Sequence, residues 1–383
     1  MPTVRLTSRT DADDFVRGVT FMGTGGGGRP ESGRELLYAH IDRGETLGWT
    51  DLAELADDEW ACCAFSMGST APRPPDFREG QVPAEYGTRA PGSALPRAIR
   101  ELEAYVGRKV SVLFPLELGG ANTPGPLHAA AELGLRVADG EGCGRAVPEA
   151  CQMVPALHGK PMWPASICDE WGNALILKRA TSLEVAEAIG KAISVVTKLP
   201  DPYAYCGMAC YLMPVGELRH LIVAGTLSRA FALGQAIRRA RETGQDPVAA
   251  AIRFVGGWLL FRGVVDRREW ESARGYQVGT TQIAGSEEFA GRTLRIWFKN
   301  EHHISWLDGK PFVTSPDLIA VVAAGTAEPI TNTYLSEGDR VAVIGMAAAP
   351  ALRTPQGIAA LGPRHFGFEL EYRPIEKVLG DEA

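Results

Sequence analysis

Apolar positions in the first part of the chain recur at helical and strand spacings in turn. The stretch TSRTDADDFVRGVTFMG puts Phe15, Val16, Val19 and Phe21 on one stripe behind Thr and Asp residues of capping type, which predicts a helix. After a run of glycines, Pro30 predicts the start of a second helix through ESGRELLYAHIDRG, with Gly44 as its C-cap. EWACCAFSMGSTAP predicts a short apolar strand ending in a glycine turn. Beyond a proline-rich loop come the helix ALPRAIRELEAYVG, the strand RKVSVLFPLELGGAN, the helix GPLHAAAELG and the strand LRVADGEGCGRA. Strands alternating with helices imply parallel pairing inside a layered domain.

The pattern changes around ICDEWGN. One long amphipathic helix, SRAFALGQAIRRARETG, follows with Thr226 or Ser228 as its cap, and then GWLLFRGVVDRREW, RTLRIWFKNEHHISWLDG, LIAVVAAG and DRVAVIGMAA, which are β-rich and separated by Gly, Asp and Pro turns. The predicted class is therefore α/β: a three-layer α/β/α domain with a mostly parallel sheet over residues 1–168, and a β-rich, barrel-like domain with one long helix over residues 169–383. A length of 383 residues, beyond one ordinary core, agrees with two domains.

Composition narrows the function classes. Hydrophobic residues at 45% and charged residues at 22% are the mix of a globular chain. The net charge of −7 and the absence of a Lys/Arg run argue against a nucleic-acid partner. No apolar stretch reaches the roughly 18 residues that span a bilayer, and the N-terminus lacks a secretory apolar segment, so a cytoplasmic location away from membranes is expected. The seven cysteines, an odd number with no C-x-x-C pair, read as buried free thiols rather than a disulfide or zinc framework.

GTGGGG, Gly23 to Gly28, fits G-x-G-x-x-G, yet the segment before it reads as helix where a dinucleotide fingerprint needs a strand. No Gly-Lys-Ser/Thr follows, so a nucleotide cofactor is disfavoured. A tight packed turn is one reading, and a ligand-facing wall made by Gly25, Gly26, Gly27 and Gly28 is the one we favour, because glycines allow positive φ and close approach. In open α/β sheets ligands bind beyond the carboxyl ends of strands. Three such ends, SMGST, PLELGGAN and ADGEGCGRAVPE, carry Glu117, Asn122, Asp139, Glu141, Arg145 and Glu149. Asp139 and Glu141, two apart, would share a face in extended chain, as an acid/base pair or as ligands for a divalent metal, while a solvated helix-capping turn is the plainer alternative. Arg145 offers a planar fork for a carboxylate or carbonyl. Elsewhere, NEHHISW suggests exposed hairpin histidines more than a two-ligand metal site, Asp317 a turn, and Arg364 with His365 a domain junction.

At GTGGGGRPESGRELL, LELGGANTPGPLHAAAELGLRVADGEGCGRAVPE and FGFELEYRPIE the chain resembles the S-methyl thiohydantoin desulfurase family, two-domain proteins associated with ATP-dependent hydantoinases. The resemblance runs over nearly the whole chain and implies an N-terminal α/β/α domain, a C-terminal barrel, and a small heterocyclic substrate. It matches at Gly25 to Gly28, Glu117, Gly119, Gly120, Asn122, Asp139, Arg145, Pro148 and Glu149, and departs at Cys143, which argues against a cysteine nucleophile. On this basis the expected activity is hydrolysis of a five-membered cyclic amide or S-methyl thiohydantoin at an sp² ring carbon. Asp139 or Glu141 would act as base, with or without a divalent metal. The glycine amides and Asn122 would bind the ring carbonyl, and Arg145 and Glu149 would fix the ring edges. Glu117 would face the same pocket. The alternative is a non-catalytic, ligand-sensing subunit of a hydantoinase-type partner. A homodimer or higher homo-oligomer is expected because symmetric assembly is common.

Overall fold

A computed structural model describes residues 2–68, 87–198 and 204–380. The first helix, α1 (Arg9–Met22), is capped by Ser8 rather than by Asp or Thr, with Asp11 returning the bond in a capping box. Its stripe of Phe15, Val16, Val19 and Phe21 is buried, and Phe15 stacks on Trp49 with ring centroids 4.7 Å apart. Helix α2 (Pro30–Ile41) starts at the predicted proline, and Gly44 lies three residues past its end at φ 72°.

Six strands form the first sheet: β1 (Trp60–Met67), β2 (Val112–Pro115), β3 (Arg136–Val137), β4 (Ala165–Asp169), β5 (Ala174–Leu177) and β6 (Cys206–Pro214), in the order β3-β2-β1-β6-β4-β5. Between them run α3 (Ala94–Val106), α4 (Pro124–Leu133) and α5 (Leu183–Thr197). The β3–β2 and β2–β1 pairs are parallel, whereas β1–β6, β6–β4 and β4–β5 are antiparallel, so the sheet is mixed instead of mostly parallel. The departure has a local cause. β4 and β5 form a hairpin across a short turn, which only antiparallel strands allow, and β6 enters the middle of the sheet from beyond residue 168. Helices cover both faces. The missing side chain of Gly207 leaves room for Leu95 of α3, while its neighbour Met208 meets Gly190 of α5 on the opposite side.

The second sheet is wholly antiparallel and curls into a half-barrel. It contains β7 (Trp258–Ala273), β8 (Tyr276–Gly285), β9 (Thr293–Lys299), β10 (Glu301–Leu307), β11 (Lys310–Thr314), β12 (Leu318–Ala323) and β13 (Arg340–Met346), ordered β11-β10-β9-β8-β7-β13-β12. The uninterrupted apolar runs of β12 and β13 follow from burial on both faces. Leu318, Ala320, Val322, Ala342 and Ile344 pack in the core shared with the first domain, and Ile319, Val321, Val341 and Val343 fill the half-barrel. Helix α6 (Thr226–Glu242) docks on α1. A Cβ on Gly18 would meet the Ala230 carbonyl at 1.7 Å and one on Gly234 the Asp14 carbonyl at 1.8 Å, so the two backbones touch where both helices lack side chains. Among the described residues no helix is long and apolar enough to cross a membrane.

Candidate active site

A cavity of about 790 Å³ opens between the ends of β1 and β2, the glycine run, α2, α4, α5 and the rim of the half-barrel. The glycine run is its wall and also the joint between the two halves of the molecule. Thr24 and Gly25 carbonyls accept from His302 and Asn332 amides at 2.8 Å each, and the Gly27 carbonyl accepts from Ala121 and Asn122 amides at 3.1 Å. A Cβ on Gly26 would sit 1.7 Å from Glu301 Oε1, so the bare backbone is what admits that carboxyl. Helix α1, not a strand, leads into the run.

Six glutamates among the described residues line the cavity; Glu31, Glu35 and Glu132 stand on α2 and α4, while Glu117 after β2, Glu187 on α5 and Glu301 at the start of β10 are the buried ones. Glu117 accepts from Asn122 Nδ2 at 2.8 Å and from the Val147 amide at 2.8 Å. Burial outweighs those bonds and lifts its pKa to about 7. Glu301 is 2% exposed, and its Oε2 has no hydrogen-bond partner among the described residues. Burial and then the nearby Glu117 charge push its carboxyl well above the usual range, against the pull of Arg145 and Lys191. Glu187 is also raised by burial, while accepting from the Ala150 amide at 3.2 Å and Tyr276 at 3.3 Å. Lys191, one turn along α5, supplies a cation at the same wall and donates to the Gly68 carbonyl at 3.1 Å. Two neighbouring carboxyls whose protons are held to different degrees can move protons in both directions.

The other acids and the arginine expected at the site lie behind the wall. Asp139 does not line the cavity: its carboxylate accepts from the Leu227 and Ser228 amides at 3.1 Å each and from the Ser228 hydroxyl. It caps α6 from a distant segment, which replaces both Thr226 and Ser228 as the expected cap. Glu141 is fully buried and turned onto its own loop, accepting from the Cys143 and Gly144 amides at 2.7 Å, and burial raises its pKa to about 8. Arg145, 0% exposed, directs its fork onto protein oxygens: the carbonyls of Ala146, Pro316, Asp317 and His302 and the Thr24 hydroxyl, at 2.9–3.1 Å. Glu149 joins Lys299 and His365 in a bridge from the first half of the chain to the second. Burial opposes its charge, yet the bonds from His365 and Lys299 hold it down at about 2. Glu117, Asn122 and Gly25 to Gly28 are the expected residues that meet in the cavity.

Glu301, Glu187, Lys191, Gln277 and Asn300 were missed as cavity residues. The available signal was an acid opening the strand EHHISWL, all seven residues of which are buried. His302 and His303 are likewise buried, not exposed, because the half-barrel closes over them. Asp317 is a buried hub for Arg353, Tyr372 and the Ala348 and Ile375 amides. All seven cysteines are free, and burial raises the Cys143 thiol far above its ordinary range. Among the described residues no three His, Cys, Asp or Glu side chains converge as a metal site.

Comparison with known proteins fits this architecture. The profile described as S-Me-THD-like, N-terminal domain, matches residues 10–179, and that described as S-Me-THD-like, C-terminal domain, matches residues 181–375. The chain belongs to the S-Me-THD-like family. This is the S-methyl thiohydantoin desulfurase family that its glycine and Asp-Gly motifs resemble. A crystal structure of a protein from Chromobacterium violaceum superposes on this S-Me-THD-like chain with a TM-score of 0.75 at 25% identity, covering 97% of this chain and 100% of that one. No functionally curated protein matches.

Proposed function

We propose that the chain is a hydrolase that exchanges the methylthio group of a small S-methyl thiohydantoin-type ring for oxygen, with Glu117 and Glu301 as its acid–base pair. The observation that carries this reading is the Glu301 carboxyl, buried at the cavity wall with one oxygen unpartnered among the described residues. An unsatisfied buried oxygen is costly, and a ring N–H or ring nitrogen facing it would relieve that cost. The family name supplies the substrate class.

The ring carbon bonded to sulfur is sp² and electrophilic. Glu117 as carboxylate takes a proton from water while the hydroxyl adds to that carbon, and neutral Glu301 protonates the adjacent ring nitrogen. Collapse returns the hydroxyl proton to Glu301, breaks the C–S bond, and lets the sulfur leave with the proton held by Glu117. The products are methanethiol and a cyclic ureide. The Gly27 and Gly28 amides, which donate to no group among the described residues, suit a carbonyl oxygen on the far side of the ring. Asn122 Nδ2 and the Val147 amide keep Glu117 oriented.

The test is methanethiol release from an S-methyl thiohydantoin by the purified protein. The rate should rise with pH through about 7 as Glu117 ionises, and Glu117→Gln should remove that limb. A flat wild-type profile would remove Glu117 as the base. Ring binding with no thiol release would point instead to the ligand-sensing role.

A further inference from the structure

The cavity has a second end. Pro30 and His40 stand ten residues apart on α2, about 15 Å at the rise of an α-helix, so the glycine wall and His40 bound opposite ends of one elongated space. At the His40 end four side chains form a continuous hydrogen-bonded line. Glu45 meets His40 Nδ1, His40 Nε2 lies 2.8 Å from His128 Nδ1, and His128 Nε2 lies 2.7 Å from Ser93 Oγ. Both histidines line the cavity, and half-buried Ser93, not itself a lining residue, is joined to it through His128.

We infer that Ser93, His128, His40 and Glu45 constitute a serine acyl-transfer centre, acting on small carboxylic esters or similarly activated acyl groups, separate from the ring chemistry at the glycine wall. With both rings neutral, the polarity that serves acyl transfer is the one in which Glu45 accepts from His40 Nδ1, a nitrogen that Arg43 Nη2 also approaches at 3.0 Å. Glu45, gripped by Arg43 through Nε at 2.6 Å and Nη2 at 3.2 Å, is a carboxylate and can accept from His40 Nδ1, in which tautomer His40 accepts at Nε2. His128 then donates from Nδ1 and is left with Nε2 bare toward the serine hydroxyl. Burial, with the facing His40 and Arg43, lowers the His128 pKa to about 4, which keeps that nitrogen free to accept. Glu132, 3.6 Å from the same nitrogen, and Glu45 are the acids near it.

Ser93 supplies the second observation. It occupies the residue before α3, where a serine ordinarily caps the helix, yet its hydroxyl makes no cap bond and is turned onto His128. In the reaction Ser93 Oγ bonds to the acyl carbon as its proton passes to His128 Nε2. The ester C–O bond breaks and the alcohol departs with that proton. Water then adds to the acyl-serine with His128 again as base, releasing the acid and restoring the hydroxyl.

The experiment treats the full-length protein with a fluorophosphonate and maps the adduct by mass spectrometry, with p-nitrophenyl acetate hydrolysis as the parallel readout. The expected result is one adduct on Ser93, none in Ser93→Ala, and labelling slowed about a hundredfold or more in His128→Gln. No adduct at Ser93 in the wild-type protein overturns the proposal, as does unchanged labelling in His128→Gln. Glu45→Gln, a change at a partly exposed position, keeps the question answerable if the histidine variant does not fold: slower labelling supports the relay and an unchanged rate overturns it. Methanethiol release plays no part in these readouts, so this centre and the ring reaction succeed or fail separately.

Discussion

The acids of the loop from Asp139 to Glu149 and those of the cavity wall are the same residue types in opposite circumstances. In the loop each carboxylate is engaged: Asp139 with the start of α6, Glu141 with its own backbone, Glu149 with Lys299 and His365. At the wall Glu301 keeps an oxygen without a partner among the described residues, and Glu117 sits near neutrality beside it. Proximity of acids in sequence said little about which could move a proton. What separates them is whether the fold has already supplied their hydrogen bonds, since an acid with all acceptor sites filled gains little by approaching a substrate.

Substitutions can break this contrast, beginning with the largest effect. Glu301→Gln should lower methanethiol release by about 10²–10⁴-fold with little change in melting temperature, because it replaces a carboxyl that burial biases toward the neutral form with an isostere. Wild-type turnover in that variant would erase the distinction between the two groups. Arg145→Met should cost about 3–5 kcal/mol in denaturant unfolding, since its buried fork ties the glycine run and β10 to the segment around Asp317. An unfolding midpoint equal to wild type would contradict that structural role.

Glu149 and Glu141 sharpen the comparison through pH, with opposite signs. Glu149 has a folded pKa near 2, below its ordinary value, so its contribution is present above about pH 4.5 and is lost as pH falls toward 2. Glu149→Gln should therefore destabilise by about 1–3 kcal/mol at neutral pH and converge on wild type in acid. Glu141 has a folded pKa near 8, so its burial favours the neutral form and stability declines as pH rises from about 4.5 to 8. Melting curves of the two glutamine variants across pH check both signs, and parallel curves would remove the difference. The smallest effect belongs to Asp139→Asn. Asparagine also caps helices, so the loss should stay near or under about 1 kcal/mol, with turnover within a few-fold of wild type. A collapse of turnover in that variant would return Asp139 to the chemistry.

Much of the fold was legible from local pattern. Pro30, the stripe of α1, the strand ACCAF and the αL glycines at Gly107 and Gly134 mark elements where short-range sterics and periodicity suffice. The mixed sheet was not, because β6 joins it through a pairing from far along the chain, and alternation of helices and strands carries no strand direction. Helix α5, whose Glu187 and Lys191 reach the cavity, went unread inside the segment assigned to the second domain. At the site, Gly25 to Gly28, Glu117 and Asn122 were visible because glycine runs and strand ends are local features. The Glu45–His40–His128–Ser93 line left no sequence trace, since its members come from three separate segments.

The sequence by itself determined the two-part α/β and β-rich architecture, the glycine wall and the family. Those follow from residue periodicity, from what glycine and proline permit, and from motifs in fixed order. Tertiary structure alone decided which carboxyls face the cavity and which hold the frame together. That choice depends on burial and on hydrogen-bond partners brought from distant segments: the start of α6 to Asp139, His365 to Glu149, and β10 to the glycine run. Both quantities arise only when the chain has closed on itself.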